Sequence, residues 1–190
     1  NLRVVAKKYF DTDFETLQEL LASPFHEYRL TALLALTYRY AKLKDPASRE
    51  ACVNFYVSQI AAINNWDLVD LSCYKILGHW LFDKDKQLLY DWAKENHLWK
   101  QRIAMISCMY FVKQGEFKDA LAIADLLQHH PHDLIHKAVG WILREIGKGN
   151  EQVLVDYLTP RYKKMPRTML RYAIERFEEG KRKAFLNSEI

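Results

Sequence analysis

The sequence contains few of the residues that interrupt helices, with only six glycines and five prolines in 190 residues. Between them lie long segments in which apolar residues recur with a period near 3.6 residues. This combination predicts a protein that is almost entirely α-helical. A chain of this length is one domain of ordinary size or a short repeat array, and it can bury a real hydrophobic core.

Several functional signatures are also missing. No apolar run approaches the length of a membrane span, and the first residues show no signal-peptide pattern. The chain has no glycine-rich phosphate loop, no Ser-His-Asp arrangement and no CxxC motif. The three cysteines, Cys52, Cys73 and Cys108, are odd in number and lie in apolar helical segments. We therefore expect reduced core cysteines and a cytoplasmic protein.

The periodic segments predict ten helices that pair as hairpins. They span residues 13–22, 24–43, 46–63, 66–78, 85–95, 98–113, 117–128, 131–148, 150–158 and 166–177, followed by a basic tail at 181–183. The first members of successive pairs begin 33, 39, 32 and 33 residues apart, a period typical of an α-solenoid. Tetratricopeptide and ankyrin consensus residues are absent from the sequence. We therefore predict an all-α, HEAT-like α-solenoid of about five helical hairpins.

Residues 1–190 are expected to form a single HEAT-like repeat domain. Because the chain starts without Met, inside the segment LRVVAKKYF, we also expect that residues of the full-length protein precede it. An open solenoid needs no partner chain, and we therefore expect a monomer.

The modest net charge of +4 conceals a separation of charge between the two sets of helices. Taken together, the first helices of the pairs, counting Glu116 with the fourth of them, carry a net charge of −8 and the second helices a net charge of +7. Second helices normally line the concave surface of a solenoid, so we expect a basic concave groove, which is an electrostatic footprint for nucleic acid. The alternative is a solvated basic face that serves solubility.

One stretch, NNWDLVDLSCYKILG, offers an indole and a carboxylate one helical turn apart. We predict a short helix capped by Asn64 or Asn65 and ending at Gly78. Trp66 and Asp70 are separated by four residues and point the same way. The neighbouring buried stripe is predicted to contain Val69, Cys73, Ile76, Leu77 and Trp80. Asp70 would then be partly desolvated beside an indole, which suits a positively charged ligand. Alternatively, Trp66 is a core residue and Asp70 an ordinary helix-start carboxylate.

A second stripe lies in the segment HKAVGWILREIGK. Lys137, Trp141, Arg144 and Lys148 share one face, opposite a buried apolar stripe. An indole among cations has a cost on a solvated face unless a ligand covers it, although Trp141 could also pack against the neighbouring helix.

The adjacent histidines His129, His130, His132 and His136 suggest a metal site at first sight. No further ligands occur at suitable spacing, and we expect no metal there.

The segments NNWDLVDLS, HLWKQRIAMIS, HDLIHKAVGWILREIGK and MPRTMLRYAIERF, in this order, resemble the bacterial DNA alkylation repair family of HEAT-like repeat glycosylases, the AlkD-like enzymes. The resemblance implies excision of N3- and N7-alkylated purines from duplex DNA without a cofactor. It also implies that Asp70 is the catalytic carboxylate, with Trp66 and Trp141 as its aromatic partners.

The same resemblance assigns Arg102 and Arg144 to the DNA backbone, where Gln101 replaces a second Arg that members often carry. Lys137 and Lys148, from the Trp141 stripe, and Arg167 and Arg171, from the last predicted helix, complete the candidate phosphate contacts. The expected partner is double-stranded DNA containing alkylated bases. The alternative function is a non-catalytic helical-repeat scaffold that binds DNA or protein through the same groove.

Overall fold

A computed structural model describes residues 2–190, which are 75% helical and contain no strand. The prediction of an all-α fold is confirmed. In chain order the α-helices are α1 (Leu2–Lys8), α2 (Phe14–Leu21), α3 (His26–Lys42), α4 (Pro46–Ser58), α5 (Trp66–Cys73), α6 (His79–Leu81), α7 (Gln87–Lys94), α8 (Leu98–Lys113), α9 (Lys118–Leu127), α10 (Asp133–Gly149), α11 (Glu151–Leu158), α12 (Arg167–Ala173) and α13 (Glu179–Asn187). Short 3-10 turns at Ile60–Ala62 and Tyr162–Lys164 and a π-helical segment at Tyr74–Gly78 complete the elements.

The chain forms two compact units that meet in sequence between Asp85 and Lys86. In the first unit, α3 is the central helix, and α1, α2, α5 and the π-helical segment all pack against it. Leu33 and Leu36 of α3 are almost completely buried. This helix therefore provides the support on which α5 rests.

In the second unit, α10 packs against both α8 and α12, so the second helices of successive pairs contact one another. The run from Ile103 to Val112 of α8 is apolar nearly all round, which is typical of a helix buried on every side. Almost every residue of that run is buried, and the helix begins and ends at the predicted residues.

Capping side chains explain why several helices start where the sequence indicated. Asp13, Asp45 and Asn150 each accept a backbone N–H from the residue three positions later. Each interaction satisfies a donor that the first helical turn would otherwise leave unpaired. The starts of α2, α4 and α11 therefore follow directly from local sequence.

Both ends of the chain differ from the prediction. Helix α1 was not predicted, and the expected basic tail at 181–183 belongs to α13. Both are short helices with a single fully buried residue each, Ala6 in α1 and Phe185 in α13. One buried position gives no recognisable periodicity, which is why the sequence pattern did not reveal them.

The prediction that the helix beginning at Trp66 ends at Gly78 is wrong. Gly78 has helical dihedral angles, φ −59° and ψ −47°, and the chain continues through α6. In the π-helical segment the His79 N–H donates to the carbonyl of Tyr74, five residues earlier. This wider turn holds an extra residue and shifts the buried face by one position. Leu81 is therefore buried, and the predicted core residue Trp80 is half-exposed.

All three cysteines are buried, and none forms a disulfide within the described residues. The prediction of reduced core cysteines is confirmed. No helix in residues 2–190 is long and apolar enough to cross a membrane.

Helices α10 and α12 approach closely at Gly140. A Cβ atom at this position would lie 2.6 Å from the Met169 carbonyl oxygen and 2.5 Å from Cβ of Tyr172. Both obstacles are backbone or directly attached to it, so α12 would have to move to admit any side chain. At Gly147, by contrast, an added Cβ would meet a methyl carbon of the flexible Leu154 side chain.

We expect Gly140→Ala to lower the free energy of unfolding by about 1–3 kcal/mol, because overpacking here displaces backbone. Gly147→Ala is the matched control and should be close to neutral, since the Leu154 side chain can rotate and alanine favours the helix by about 1 kcal/mol. Urea denaturation followed by circular dichroism measures both. Equal stability of the two variants would show that the α10–α12 spacing adjusts without cost.

Candidate functional site

Helix α5 carries the first group of predicted site residues, which lie in the first unit. Trp66 is its first residue and is 53% exposed, whereas Asp70, one turn later, is half-buried. The interpretation of Trp66 as a core residue is therefore wrong. Asn65 occupies the N-cap position, but its side chain caps no N–H group within the described residues, contrary to the prediction.

Asp67 ties the first turn of α5 to another helix. Its Oδ1 accepts the N–H of Leu68 at 2.8 Å, and its Oδ2 lies 2.7 Å from Nε2 of His26, the first residue of α3. The sequence does not reveal this pair, because the partners lie 41 positions apart and no local pattern connects them.

The other side of α5 faces the core next to Asp70. The hydroxyl groups of Tyr56 and Ser72 are 3.0 Å apart in a buried hydrogen bond. Burial, with smaller effects from Cys73 and Asp70, raises the pKa of Tyr56 well above 10. Asp70 itself is half-buried, so it lies at the margin between the apolar core and the surface, as predicted.

Helix α10 carries a separate group of predicted site residues, which lie in the second unit. Lys137, Trp141 and Arg144 are partly exposed and Lys148 is exposed, while the opposite face is buried, as predicted. Trp141 is half-buried. Its exposure is therefore intermediate between the two predicted alternatives, an exposed ring and a ring packed against the neighbouring helix.

The cations of this face are paired with carboxylates. Lys137 Nζ is 2.7 Å from Asp133, and Lys148 Nζ is 2.7 Å from Glu145. Asp133 also raises the pKa of Lys137. Arg144 contacts Glu175 through Nη1, and its Nε lies 3.7 Å from Glu145. These acidic partners partly neutralise the stripe that the sequence predicts as basic.

Arg102 is only 4% exposed. Its Nη1 donates to the carbonyl of Leu134, in the first turn of α10, at 2.5 Å. The bond joins α8 to the first turn of α10, and the direct phosphate contact predicted for Arg102 would need a guanidinium more exposed than this one. The neighbouring Gln101 is also buried.

Helix α12 adds two exposed arginines to the second unit. Arg167 donates to the carbonyl of Leu186 at 2.9 Å, which links α12 to α13. Arg171 lies one turn further along and is exposed. Both side chains are therefore at the surface, where the prediction requires them.

Most of the chain matches one family of proteins. A family model described as DNA alkylation repair enzyme covers residues 1–177. The chain belongs to the DNA alkylation repair enzyme family. Membership explains why the resemblance extended over four separate segments, and it implies an enzyme that acts on DNA.

Two solved structures have the same fold. A predicted DNA alkylation repair enzyme from Enterococcus faecalis is 15% identical with a TM-score of 0.70, over 92% of this chain and 82% of that one. AlkD2 from Streptococcus mutans is 15% identical with a TM-score of 0.64, over 94% of this chain and 89% of that one. No curated protein matches significantly. The likeness shows that this family member has the helical-repeat fold of AlkD-type proteins.

The histidines before α10 are used for local hydrogen bonds. Nδ1 of His132 accepts the N–H of Leu134 and caps α10, and Nδ1 of His130 accepts the N–H of His132. The ring of His136 bonds the carbonyl of His130 at 2.5 Å. No group of three potential metal ligands occurs among the described residues.

The burial of His130 near two other histidines predicts that the stability of this protein depends on pH. Burial, followed by the neighbouring His132 and His136, lowers the pKa of His130 below 6.5. The unfolded chain therefore binds a proton at higher pH than the folded chain, and stability is lost as pH falls below about 6.5. His130→Asn keeps an acceptor but does not titrate.

We expect the wild-type unfolding midpoint in urea to fall between pH 7.5 and 5.5, and to fall less in His130→Asn. His79, whose pKa is also lowered by burial, accounts for a remainder that persists in the variant. Identical pH profiles for the two proteins would contradict this role of His130.

Proposed function

We propose that this protein is a DNA glycosylase that excises cationic N3- and N7-alkylated purines from duplex DNA. The observation that carries the proposal is the exposed indole of Trp66 one helical turn before the half-buried carboxylate of Asp70. Packing within the protein does not explain why an indole as exposed as that of Trp66 stands at this position. A carboxylate at the margin of the core, such as that of Asp70, interacts more strongly with a cation than a carboxylate in bulk water.

The chemistry requires little beyond such a pair. An N3- or N7-alkylated purine already carries a positive charge, so it leaves with the electron pair of the C1′–N bond and becomes neutral without a general acid. Positive charge then develops on the deoxyribose, as in other glycoside cleavages. Asp70 stabilises that charge and orients the water whose oxygen bonds to C1′, and the proton of this water is released to solvent.

The two indoles have a smaller role in the proposal. Trp66 contributes its electron-rich face to the developing cation, a contact worth about 0.5–2 kcal/mol. Trp141 is the second aromatic partner of the catalytic carboxylate, the role that the family resemblance assigns to it. We propose no metal or cofactor, since the leaving group needs neither.

Duplex binding is assigned to Lys137, Arg144, Lys148, Arg167 and Arg171 through phosphate contacts. Exposed ion pairs stabilise proteins by only about 0–1 kcal/mol, so a phosphate can replace Asp133 on Lys137, or Glu145 on Lys148, at small cost. Each neutralised phosphate releases counterions, which makes binding depend on salt. The proposal includes a monomer that works in the cytoplasm.

Replacing the carboxylate tests the proposal most directly. We expect Asp70→Asn to slow release of 7-methylguanine and 3-methyladenine from methylated duplex DNA by about 10²–10³-fold, the usual loss for an electrostatic stabiliser. Trp66→Ala should cost about 2- to 30-fold, following the cation–π magnitude. Single-turnover assays of base release measure both.

The control is Asp156→Asn, which removes an exposed carboxylate on α11 that accepts from Gln152. It should excise like the wild type. If the folded wild type binds duplex but releases no alkylpurine, the glycosylase is refuted and the non-catalytic scaffold becomes the better explanation.

A second prediction concerns the DNA backbone. We expect Arg144→Ala to weaken binding to all duplex sequences alike and to reduce the slope of log K against log salt by about one. The control is Arg161→Gln, because Arg161 also forms an ion pair, with Asp125, but on the α9 and α11 side. Fluorescence anisotropy over a salt series measures both variants, and a loss confined to particular sequences would count against a phosphate contact.

A further inference from the structure

Within residues 2–190, the start of α5 has no side-chain cap at its N-cap position. Within the described residues, neither Asn65 before α5 nor Phe25 before α3 makes a side-chain cap hydrogen bond. The first N–H groups of a helix have no partner within the helix, and an uncapped first turn frays. Trp66 is the first residue of α5 and is more than half exposed, so burial alone does little to fix its ring.

Asp67 compensates for the missing cap from inside the helix. One carboxylate oxygen accepts the N–H of Leu68, and the other accepts a hydrogen bond from the ring of His26 at 2.7 Å. The carboxylate thus lies in the first turn of α5, where the helix dipole favours a negative charge, and it contacts the side chain of the first residue of α3. His26 can donate from Nε2 either as the neutral Nε2–H tautomer or as the imidazolium.

The partner helix is well suited to hold α5 in place. Both side chains of the pair are about 30% exposed, so water screens the contact only partly. His26 belongs to α3, whose Leu33 and Leu36 are almost completely buried. The bond therefore connects the exposed end of α5 to the helix against which α1, α2 and α5 pack.

We propose that His26 and Asp67 are positioning residues, whose hydrogen bond fixes the first turn of α5 and with it Trp66 relative to Asp70. The catalytic consequence rests on the glycosylase function proposed above. Because catalysis depends on the placement of reacting groups to within an ångström, loss of the bond should slow the chemical step more than it weakens DNA binding.

The first measurement needs no substrate. Hydrogen exchange of the Leu68 and Val69 amides, followed by NMR, reports the order of the first turn of α5 in the free protein. We expect exchange several-fold faster in His26→Leu and close to wild type in His26→Gln, which keeps an N–H donor. His129→Leu, at an exposed histidine outside this unit, is the control and should leave both amides unchanged.

The second measurement separates positioning from simple support of the fold. We expect the single-turnover excision rate to fall roughly tenfold in His26→Leu, with the duplex Kd within about twofold of wild type. His26→Gln should recover the rate. The double variant His26→Leu with Asp67→Ala should lose no more than the slower single variant, because both substitutions remove the same bond.

The outcomes distinguish this inference from the function on which it rests. Unchanged exchange at Leu68 and Val69 in His26→Leu would overturn the positioning role regardless of any excision result. A slower reaction explained entirely by a weaker Kd would overturn it as well. If the wild type excises no alkylpurine, the proposed function fails, and the exchange data alone then decide whether the pair orders the turn that carries Trp66.

Discussion

The close contact between α10 and α12 at Gly140 determines the arrangement of the second unit. Without a Cβ atom between them, the helices lie near enough for Arg144 to reach Glu175. On the opposite side, Arg102 of α8 holds the first turn of α10 through the Leu134 carbonyl. Helix α10 is therefore fixed by a missing side chain on one flank and a buried guanidinium on the other. Its partly exposed face, with Trp141, is a consequence of these two constraints.

The carboxylates around that face change how its charge is understood. Counting charges by helix separates acidic from basic helices, but it does not show that Asp133 and Glu145, which lie on α10 itself, pair with Lys137 and Lys148. In the free protein the pairs hold the lysine side chains in place and lower their effective charge. Arg144 differs from the lysines, because it is less exposed and contacts two carboxylates. Under the proposed function, its exchange from glutamate to phosphate would be the costliest of these steps.

The parts of the fold that depend on local sequence could be predicted. Asp13, Asp45 and Asn150 cap the helices that follow them, and the apolar run of α8 is buried as its composition indicated. The parts that depend on contacts between distant residues could not. The π-helical turn moves the buried position from Trp80 to Leu81, and no residue type marks such a turn. For the candidate site, the positions of Trp66 and Asp70 on one helix followed from their spacing. The His26–Asp67 bond and the burial of Arg102 required the tertiary structure.

Helix α5 combines two requirements that usually conflict. A residue that meets a ligand has to be exposed, and an exposed residue at a helix start is normally mobile. Leu68, Val69 and Cys73 are fully buried and hold the helix against the core. Burial of this face cannot order the uncapped first turn, because Trp66 points away from it. A polar contact to a neighbouring helix can, since it restrains the backbone beside Trp66 without covering the indole. The polar contact is therefore made by Asp67, directly after the exposed ring, and its partner His26 comes from the well-packed α3.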